Sequence, residues 1–445
     1  MTSLKLHWQI LIAMSTGIIA GMIFQYLSLG SHLNAIDNVE KISIWESYIA
    51  TTYNIIFSLG TIFVRLLKMI IVPLIFTSII TGVSGIGDGS KLGRLGIKTL
   101  LYYITTSLFA IVIGLTLTNL VQPGVGVNLP TANSFDASRL NTPGSPAEIL
   151  IRMIPLNPIS AAAKGDMLGL IFFAIFLGAS ITQLKEKHKS QLTTFFESLF
   201  QAIMRMTEII IKLAPIGVLG LITKTVATSG FDMFAAVGIY MLTIATGLSM
   251  HILIVLPLIF FLLTRINPII HYKAMASAMA TAFSTSSSSA TLPVTMRCVR
   301  ENAGVSNETS SFVLPMGATV NMDGTALYEC AGVIFISQVL GVDLTITQQF
   351  TVVITALLAS IGAAGIPSAG LVMIFIVTQA VGFNDTDVAI IIGTMLAVDR
   401  PLDMFRTMVN ITSDSIGAAI IAHSEGENLY KAKILTKLKN IEKNS

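Results

Sequence analysis

The chain alternates long apolar runs with short polar segments over its whole length. Apolar runs of 18 or more residues are typical of membrane-spanning helices. Several runs exceed the ~20 residues that a perpendicular span needs, so these helices must tilt or extend into water. The runs predict eight transmembrane helices, at residues 7–28, 48–84, 93–121, 166–184, 193–228, 232–264, 308–342 and 386–423.

Two further apolar segments are interrupted at their centres, and they predict re-entrant helical hairpins. Residues 272–300 have a serine-rich tip between two apolar arms, of which the second is broken by Pro293. Residues 346–382 have a tip from Gly362 to Gly370. Each arm of about a dozen residues is ~18 Å long, about half of a ~30 Å hydrocarbon core. Hairpin and following helix occur twice with opposite orientation, as in the inverted repeats of secondary transporters.

Composition excludes an ordinary soluble domain. Of the 445 residues, 53% are hydrophobic and only 11% are charged, whereas soluble domains carry about a quarter charged residues. The net charge of +3 gives no indication of nucleic-acid binding. Basic residues cluster in loops such as 91–98 and 185–189 and in the tail, so the positive-inside rule places these loops and both termini in the cytoplasm. We expect a multi-pass plasma-membrane protein, and the absence of a long polar extension favours a prokaryotic inner membrane.

A polar stripe runs along the last predicted helix. At 100° per residue its six members share an arc of roughly 100°. Charges at membrane depth cost at least ~2.5 kcal/mol each, so such a stripe must face a partner or a water-filled cavity. A buried ion-pair network is the alternative, but Asn and Thr mixed with both charge signs favour ligand binding. The stripe consists of Asp399, Asp403, Arg406, Thr407, Asn410 and Asp414.

The side-chain chemistry of the stripe suggests one ligand class. Arg406 offers a planar fork of donors for a carboxylate, and Asp403, one turn away, suits an ammonium group. Asn410 can both donate and accept, and Asp414 supplies a hard anionic oxygen for Na⁺ or a proton. Together these groups match a zwitterion with an additional carboxylate.

Polar residues also interrupt the 308–342 span. The run Asn321-Met322-Asp323-Gly324-Thr325 favours local turns over helix, and an unwound backbone in a membrane lines a cavity or is buried. Its free carbonyls and Asp323 would bind a cation; a tolerated kink is the alternative.

The serine-rich tip is either a flexible linker or a substrate contact. Glu329 is expected to be buried and neutral, as a proton carrier or as a hydrogen-bonded structural group.

These motifs resemble the dicarboxylate/amino acid:cation symporters, the glutamate transporter family. The resemblance rests on Asn321 to Glu329, Gly362 to Gly370, Asp399 to Asp414, and Ser287-Ser288-Ser289 followed by Thr291 to Thr295. It covers essentially the whole chain and is strongest over 272–423. The family implies a homotrimer with an elevator mechanism, in which the second hairpin is the extracellular gate.

The resemblance also implies a division of the chain. Scaffold helices one and two occupy 1–92, helix three of the transport domain occupies 93–121, and an external loop with scaffold helices four and five occupies 122–228. The transport domain continues over 232–423, and a basic cytoplasmic tail follows at 424–445.

By the same resemblance, particular positions would hold substrate and Na⁺. The substrate set is Ser288, Thr325, Ile366, Gly370, Asp403, Arg406, Thr407 and Asn410. The first Na⁺ set is Gly317, Asn321, Asn410 and Asp414; the second is Thr319, Met322, Ser360, Ile361 and Ala363; and the third is Tyr103, Thr106, Ser107, Asn321 and Asp323.

The chain departs from the family pattern at three positions. Archaeal members have Arg where this chain has Ser286, and animal members have Arg where it has Met404. Arg400, one turn before Met404, would supply the missing guanidinium. Glu329 replaces a Gln of archaeal members and resembles animal transporters that couple to H⁺ and K⁺.

The sequence therefore predicts a Na⁺-coupled symporter of glutamate, aspartate or both, without an organic cofactor. A proton-coupled transporter of amino acids or C4-dicarboxylates is one alternative, and an anion channel is another. An enzyme is not expected, since the H-E-x-x-H and G-x-S-x-G motifs are missing.

Overall fold

The structure, a computed structural model, describes most of the chain. Where it is described, the chain forms helices and turns without a strand, which confirms the all-α class. Ala363 and Ile366 of the predicted sites and the basic tail from 431 onward lie outside the described residues. Those residues are 6–26, 44–84, 90–127, 151, 154–164, 166–229, 232–362, 369–383 and 385–430.

The helices of the first half pack mainly on one another, with one exception. The helix after Ala214 lies against the first two helices of the chain, and the second also packs on the helices after Met167 and Glu186. The third helix instead packs on helices of the second half. In chain order they are α1 (Leu6–Tyr26), α2 (Ile44–Ser84), α3 (Ser90–Val121), α4 (Pro158–Lys164), α5 (Met167–Thr182), α6 (Glu186–Lys212) and α7 (Ala214–Ser229).

The second half consists of shorter helices that end in one long helix. A π-helical turn, His251–Val255, joins the first two, and another, Val299–Ala303, follows the fourth. The helices are α8 (Asp232–Met250), α9 (Leu256–Thr264), α10 (Pro268–Thr285), α11 (Ser288–Cys298), α12 (Asn307–Val320), α13 (Asp323–Val339), α14 (Ile346–Gly362), α15 (Ala369–Val381) and α16 (Asp385–Ser424).

Helices α10 and α11 form a helix-turn-helix at the serine-rich tip. Ser286 ends α10 in the left-handed conformation, with φ of 52°. Ser287 caps α11, since its hydroxyl accepts a hydrogen bond from the Ala290 N–H. The expectation that Pro293 breaks this arm was wrong, because α11 continues through it to Cys298. Pro293 is the sixth of the eleven residues of α11, where it removes one intrahelical hydrogen bond but does not end the helix.

The predicted 308–342 span is two helices with a break between them. Asn321 is extended, with φ −105° and ψ 91°, and Met322 has φ −122° and ψ 61°. The N–H of Asn321 still donates to the Gly317 carbonyl, so the helical hydrogen bonding of α12 extends to this residue. The next helix begins at Asp323.

Few helices meet the length and hydropathy of a membrane span without interruption. Among the described residues, Arg94–Val121 and Ala235–Thr264 do so individually. Glu186–Ile210 and Ala214–Lys224 would form a third if the pair, bent by 53°, is one span. The sequence predicted a continuous helix at 193–228, whereas the structure divides it at Leu213.

A short segment after α16, which we call the C-terminal clasp (residues 425–430), ties the ends of several helices together. Glu425 accepts hydrogen bonds from Lys98 and Arg94 of α3. Glu427 binds the N-terminus of α12, where it accepts from the N–H and hydroxyl of Ser306 at 2.7 Å each. Tyr430 lies against α10, with its hydroxyl 2.6 Å from Nδ1 of His271.

Candidate functional site

The polar stripe of the last helix is fully enclosed. Helix α16 packs against α10, α12, α13 and α15, and each of the six stripe residues is at most 5% exposed. Because buried charges are costly unless paired, their partners define the site.

Arg406 is held by two carboxylates and an aromatic ring. Its Nη2 donates to Oδ1 of Asp403 at 2.8 Å and to Oδ1 of Asp399 at 3.1 Å. The ring of Tyr328 lies 3.8 Å from the guanidinium carbon, and the Tyr328 hydroxyl donates to Asp399 at 3.1 Å. The guanidinium is thereby fixed between α13 and α16.

Two nitrogen atoms of the Arg406 guanidinium lack a hydrogen-bond partner in the described part of the chain and could bind a ligand. Within the described residues, Nε and Nη1 find no hydrogen-bond partner, although the side chain is 1% exposed. An unpaired buried donor is costly, and a carboxylate is the partner that suits a guanidinium. The start of α15 borders this position, because a Cβ added at Gly370 would touch Nη1.

Asp403 lies between two guanidinium groups. Nη1 of Arg400 is 3.6 Å from Oδ2, while Arg406 binds Oδ1. Arg400 is partly exposed, at 23% of its side chain, whereas Arg406 is buried. Thr407 donates to the backbone carbonyl of Asp403 at 2.8 Å, as a hydroxyl on the next turn can.

Asn410 connects the stripe to the broken helix. Its Oδ1 accepts from the Gly324 N–H at 2.8 Å, and its Nδ2 donates to Thr325 Oγ1 at 3.3 Å. Gly324 allows this contact, since a Cβ there would lie 2.9 Å from the Arg406 carbonyl. Thr325 and Asn410, which both belong to the substrate set implied by the resemblance, are thus adjacent. Ser288 is buried at the start of α11.

Asp323 is the centre of a second buried polar cluster. One oxygen accepts from Ser107 at 2.7 Å and from Thr106 at 3.2 Å, and the other is 3.0 Å from Nε2 of His251. Thr106 also lies 3.5 Å from Oδ1 of Asn321. Four residues of the third predicted Na⁺ set therefore meet. The fifth, Tyr103, donates instead to the Val313 carbonyl.

Two of the other three residues in the first predicted Na⁺ set, Asn321 and Gly317, lie against Asp414. Nδ2 of Asn321 donates to Asp414 Oδ1 at 2.9 Å and to Ser413 at 3.0 Å. A Cβ added at Gly317 would lie 2.5 Å from the same Asp414 oxygen, which shows how closely α12 approaches it. Asn410 bonds Gly324 instead of this cluster.

The second predicted Na⁺ set has fewer polar connections. Thr319 donates to the Met316 carbonyl of its own helix at 3.1 Å, and Ser360 donates to Leu357 at 2.8 Å. Met322 is buried at the helix break. Ile361 packs near the end of α14, and Ala363 lies outside the described residues.

Glu329 is enclosed two turns into α13. It is 0% exposed, and neither carboxyl oxygen has a hydrogen-bond partner among the described residues. The hydrogen-bonded structural role that the sequence left open finds no support in these contacts.

Sequence reasoning missed two members of these clusters. Tyr328 supports Arg406, and His251 contacts Asp323. A signal existed for His251, because a lone histidine within an otherwise apolar span needs a buried partner. Tyr328 carried no such signal, since an aromatic residue in a helix is most often a core residue.

Comparison with known proteins gives one consistent result. The model of the family described as "Sodium:dicarboxylate symporter family" matches residues 6–424. The chain is 38% identical to mouse excitatory amino acid transporter 3 over 412 residues, which are 81% of this chain and 78% of that protein. It is 32% identical to the proton/glutamate-aspartate symporter of Escherichia coli over 429 residues, 95% of this chain and 93% of the relative.

Proposed function

Because the chain belongs to the sodium:dicarboxylate symporter family, we propose that it is a Na⁺-coupled symporter that imports glutamate, aspartate or both. It is a membrane transporter and not an enzyme. The named activities of the relatives support acidic amino acids as its substrates.

The pairing of Arg406 with Asp403 carries the substrate proposal. A substrate side-chain carboxylate would take the unpartnered Nε and Nη1 donors of Arg406, and Asp403 would bind the α-amino group. Thr325, Asn410, Thr407 and Ser288 supply neutral hydrogen-bonding groups around these charges. A dicarboxylate without an amino group would leave Asp403 without an ammonium partner, which argues against succinate.

The clusters at Asp323 and Asp414 support Na⁺ as the coupling ion. Carboxylate, amide and hydroxyl oxygens are ligands that hard cations prefer. The hydroxyls of Thr106 and Ser107 contact the Asp323 carboxylate, and the side-chain oxygen of Asn321 lies 3.5 Å from Thr106. At Asp414 the carboxylate itself is the oxygen ligand, since Asn321 faces it with its Nδ2 donor. A bound Na⁺ would neutralise each buried carboxylate and so make binding of the anionic substrate more favourable.

Glu329 favours a second candidate, coupling to H⁺. Its carboxyl is buried without a hydrogen-bond partner among the described residues, and the name of the Escherichia coli relative specifies a proton. In this alternative Glu329 carries the proton, and Arg400 next to Asp403 compensates charge during the return of the empty site.

The family resemblance implies an elevator mechanism in a homotrimer, and the grouping of helices within the chain supports the division into scaffold and mobile domain that this mechanism needs. Helices α1, α2, α5, α6 and α7 contact one another extensively, whereas α3 packs with α13. The former would form the scaffold and the latter, with α8 to α16, the mobile domain. The second hairpin, which contains α14 and α15, would be the extracellular gate, since Gly370 near the start of α15 borders Arg406.

Uptake into liposomes tests the proposal directly. Purified protein is reconstituted, and labelled aspartate and glutamate uptake is measured under separately imposed inward Na⁺ and H⁺ gradients, with and without internal K⁺. Concentrative uptake that requires Na⁺ supports the proposal. Uptake driven by H⁺ alone contradicts Na⁺ coupling and supports the Glu329 alternative. A current without concentrative uptake would indicate an anion channel.

Arg406→Cys tests the substrate assignment. We expect loss of glutamate and aspartate uptake, because the variant lacks the guanidinium that would bind the side-chain carboxylate. Binding of a neutral amino acid such as serine can persist, since Asp403 remains. Arg205→Cys, on the exposed surface of α6, is the control for introducing a cysteine. Unchanged acidic amino acid uptake in Arg406→Cys contradicts the assignment.

A further inference from the structure

A groove on the outer face of the second half lies apart from the site described above. It has a volume of about 670 Å³, within the ~300–1,000 Å³ range of small-molecule sites. Its walls come from the π-helical turn, the start of α9 and the first three turns of α10. It is lined by Ile252, Leu253, Pro257, Asn267, Pro268, Ile269, Tyr272, Lys273, Ala276 and Met279.

The π-helical turn shapes the floor of this groove. A π-helical turn widens the backbone and displaces a carbonyl from the regular helical pattern. The displaced Ile252 carbonyl accepts a hydrogen bond from the Tyr272 hydroxyl, so α10 is tied to the turn. The Tyr272 hydroxyl and the Ile252 carbonyl are thus hydrogen-bonded to each other. The surface of the groove that a ligand would contact is mainly apolar.

The lining of the groove contains one positively charged side chain. Lys273 is the charged residue of the lining, it is exposed, and it forms no ion pair with any residue that the structure describes. A second exposed base, Arg265, occupies the turn between α9 and α10, where its guanidinium carbon lies 5.9 Å from the Phe261 ring. An ammonium in an apolar membrane segment needs an anionic or aqueous partner, and a lysine can extend toward the interface to find one.

The stretch of chain that forms the groove contains no acidic side chain. No Asp or Glu occurs between Met233 and Arg300, although this stretch contains Arg265, Lys273 and Arg297. An apolar groove with a positive end matches an acyl chain joined to an anionic headgroup. Basic pockets between membrane helices bind such headgroups in other proteins.

We propose that this groove binds one anionic glycerophospholipid, with its phosphate at Lys273 and Arg265 and one acyl chain along Leu253, Ala276 and Met279. The site is separate from the Arg406 and Asp323 clusters. Binding there would stabilise the junction between α9 and α10. It depends on the chain being a membrane protein and not on which ion or amino acid it carries.

Direct lipid binding tests this proposal without a transport assay. Delipidated protein in detergent is titrated with labelled dioleoylphosphatidylglycerol and, separately, with dioleoylphosphatidylcholine, which has the same acyl chains and no net charge. We expect saturable phosphatidylglycerol binding that weakens with added NaCl, because salt screens exposed charges. Equal affinity for the two lipids would overturn the proposed headgroup site.

Two variants test the contact with the lipid headgroup and the binding of the acyl chain separately. Lys273→Gln should weaken phosphatidylglycerol binding about fivefold, since one base near a lipid phosphate contributes that much, and leave phosphatidylcholine binding unchanged. Ala276→Phe fills the groove and should weaken binding of both lipids. The controls are Lys187→Gln, an exposed lysine elsewhere, and Ala280→Phe, an exposed alanine outside the lining.

The pattern across the four variants decides the outcome. Phosphatidylglycerol binding that falls equally in Lys187→Gln and Lys273→Gln would show a general charge effect and overturn the proposal. Binding that is unchanged in Ala276→Phe would exclude this groove. A thermal-unfolding measurement on each variant identifies any loss of binding that comes from unfolding.

Discussion

Arg406 shows how a single buried charge restricts what its surroundings can accept. Its charge is shared with Asp399 and Asp403 through one nitrogen, so a ligand carboxylate meets the remaining donors without first removing both aspartates.

The polar stripe of α16 was predictable because it depends only on the geometry of one helix. The contacts of Tyr328 and His251 were not, because they depend on how separate helices pack.

At the same scale, Asp414 provides a test of the cation site. Asp414→Asn keeps the shape of the side chain but removes a hard anionic oxygen, which a cation prefers to an amide oxygen. We expect half-maximal Na⁺ activation of uptake to shift upward by about tenfold, the equivalent of ~1.4 kcal/mol. The control is Asp343→Asn, on an exposed turn. If the Na⁺ activation curve does not move, Asp414 is not a ligand.

Among the elements, the interrupted helices carry most of the polar chemistry. The break at Asn321 and Met322 was predictable from residues that disfavour helix, and so was the tip at Ser286. The outcome at Pro293 was not, because an interior proline usually kinks or breaks a helix, whereas α11 continues through it. The division of the 193–228 helix at Leu213 also had no strong local signal.

Close packing of α3 on α13 gives a prediction for these elements. A Cβ at Gly114 would lie 2.7 Å from the Leu327 carbonyl and 3.1 Å from Leu327 Cγ. Gly114→Ala should therefore push the two helices apart and destabilise the protein by roughly 1–3 kcal/mol. Thermal unfolding in detergent measures this. In Gly238→Ala the new Cβ meets nothing within 4 Å, and stability should be equal or higher. Equal behaviour of both variants would contradict the packing argument.

For the molecule as a whole, the C-terminal clasp joins helices that are far apart in sequence. It contacts α3 through Glu425, α12 through Glu427 and α10 through Tyr430. The division into scaffold and transport domain stays a prediction from the family resemblance. The clasp could not be predicted, because its residues follow the last apolar run and carry no pattern.

The clasp predicts a pH dependence of stability. Hydrogen bonds from Lys98 and then Arg94 hold the pKa of Glu425 below its usual value. The stabilisation is therefore complete above the ordinary glutamate pKa of ~4.3 and is lost as pH falls through the lower, folded value. Glu425→Gln should lower the unfolding temperature at pH 7, and the difference from the unsubstituted protein should shrink toward pH 3.

Glu197→Gln, an exposed carboxyl on α6, is the matched control for this experiment. It should change the unfolding temperature little at either pH. A difference between Glu425→Gln and the unsubstituted protein that stays constant from pH 7 to pH 3 would contradict a role for the charged carboxylate.

The sharing of Arg406 between Asp399 and Asp403 has a consequence for the direction of net flux. In the proposed transport cycle, a substrate-free site would carry Arg406 already paired with Asp399 and Asp403, so this guanidinium would need no counter-ion from solution as the site crosses the membrane. A site whose guanidinium lacked these partners would favour one-for-one exchange of substrate, whereas this pairing would favour net accumulation.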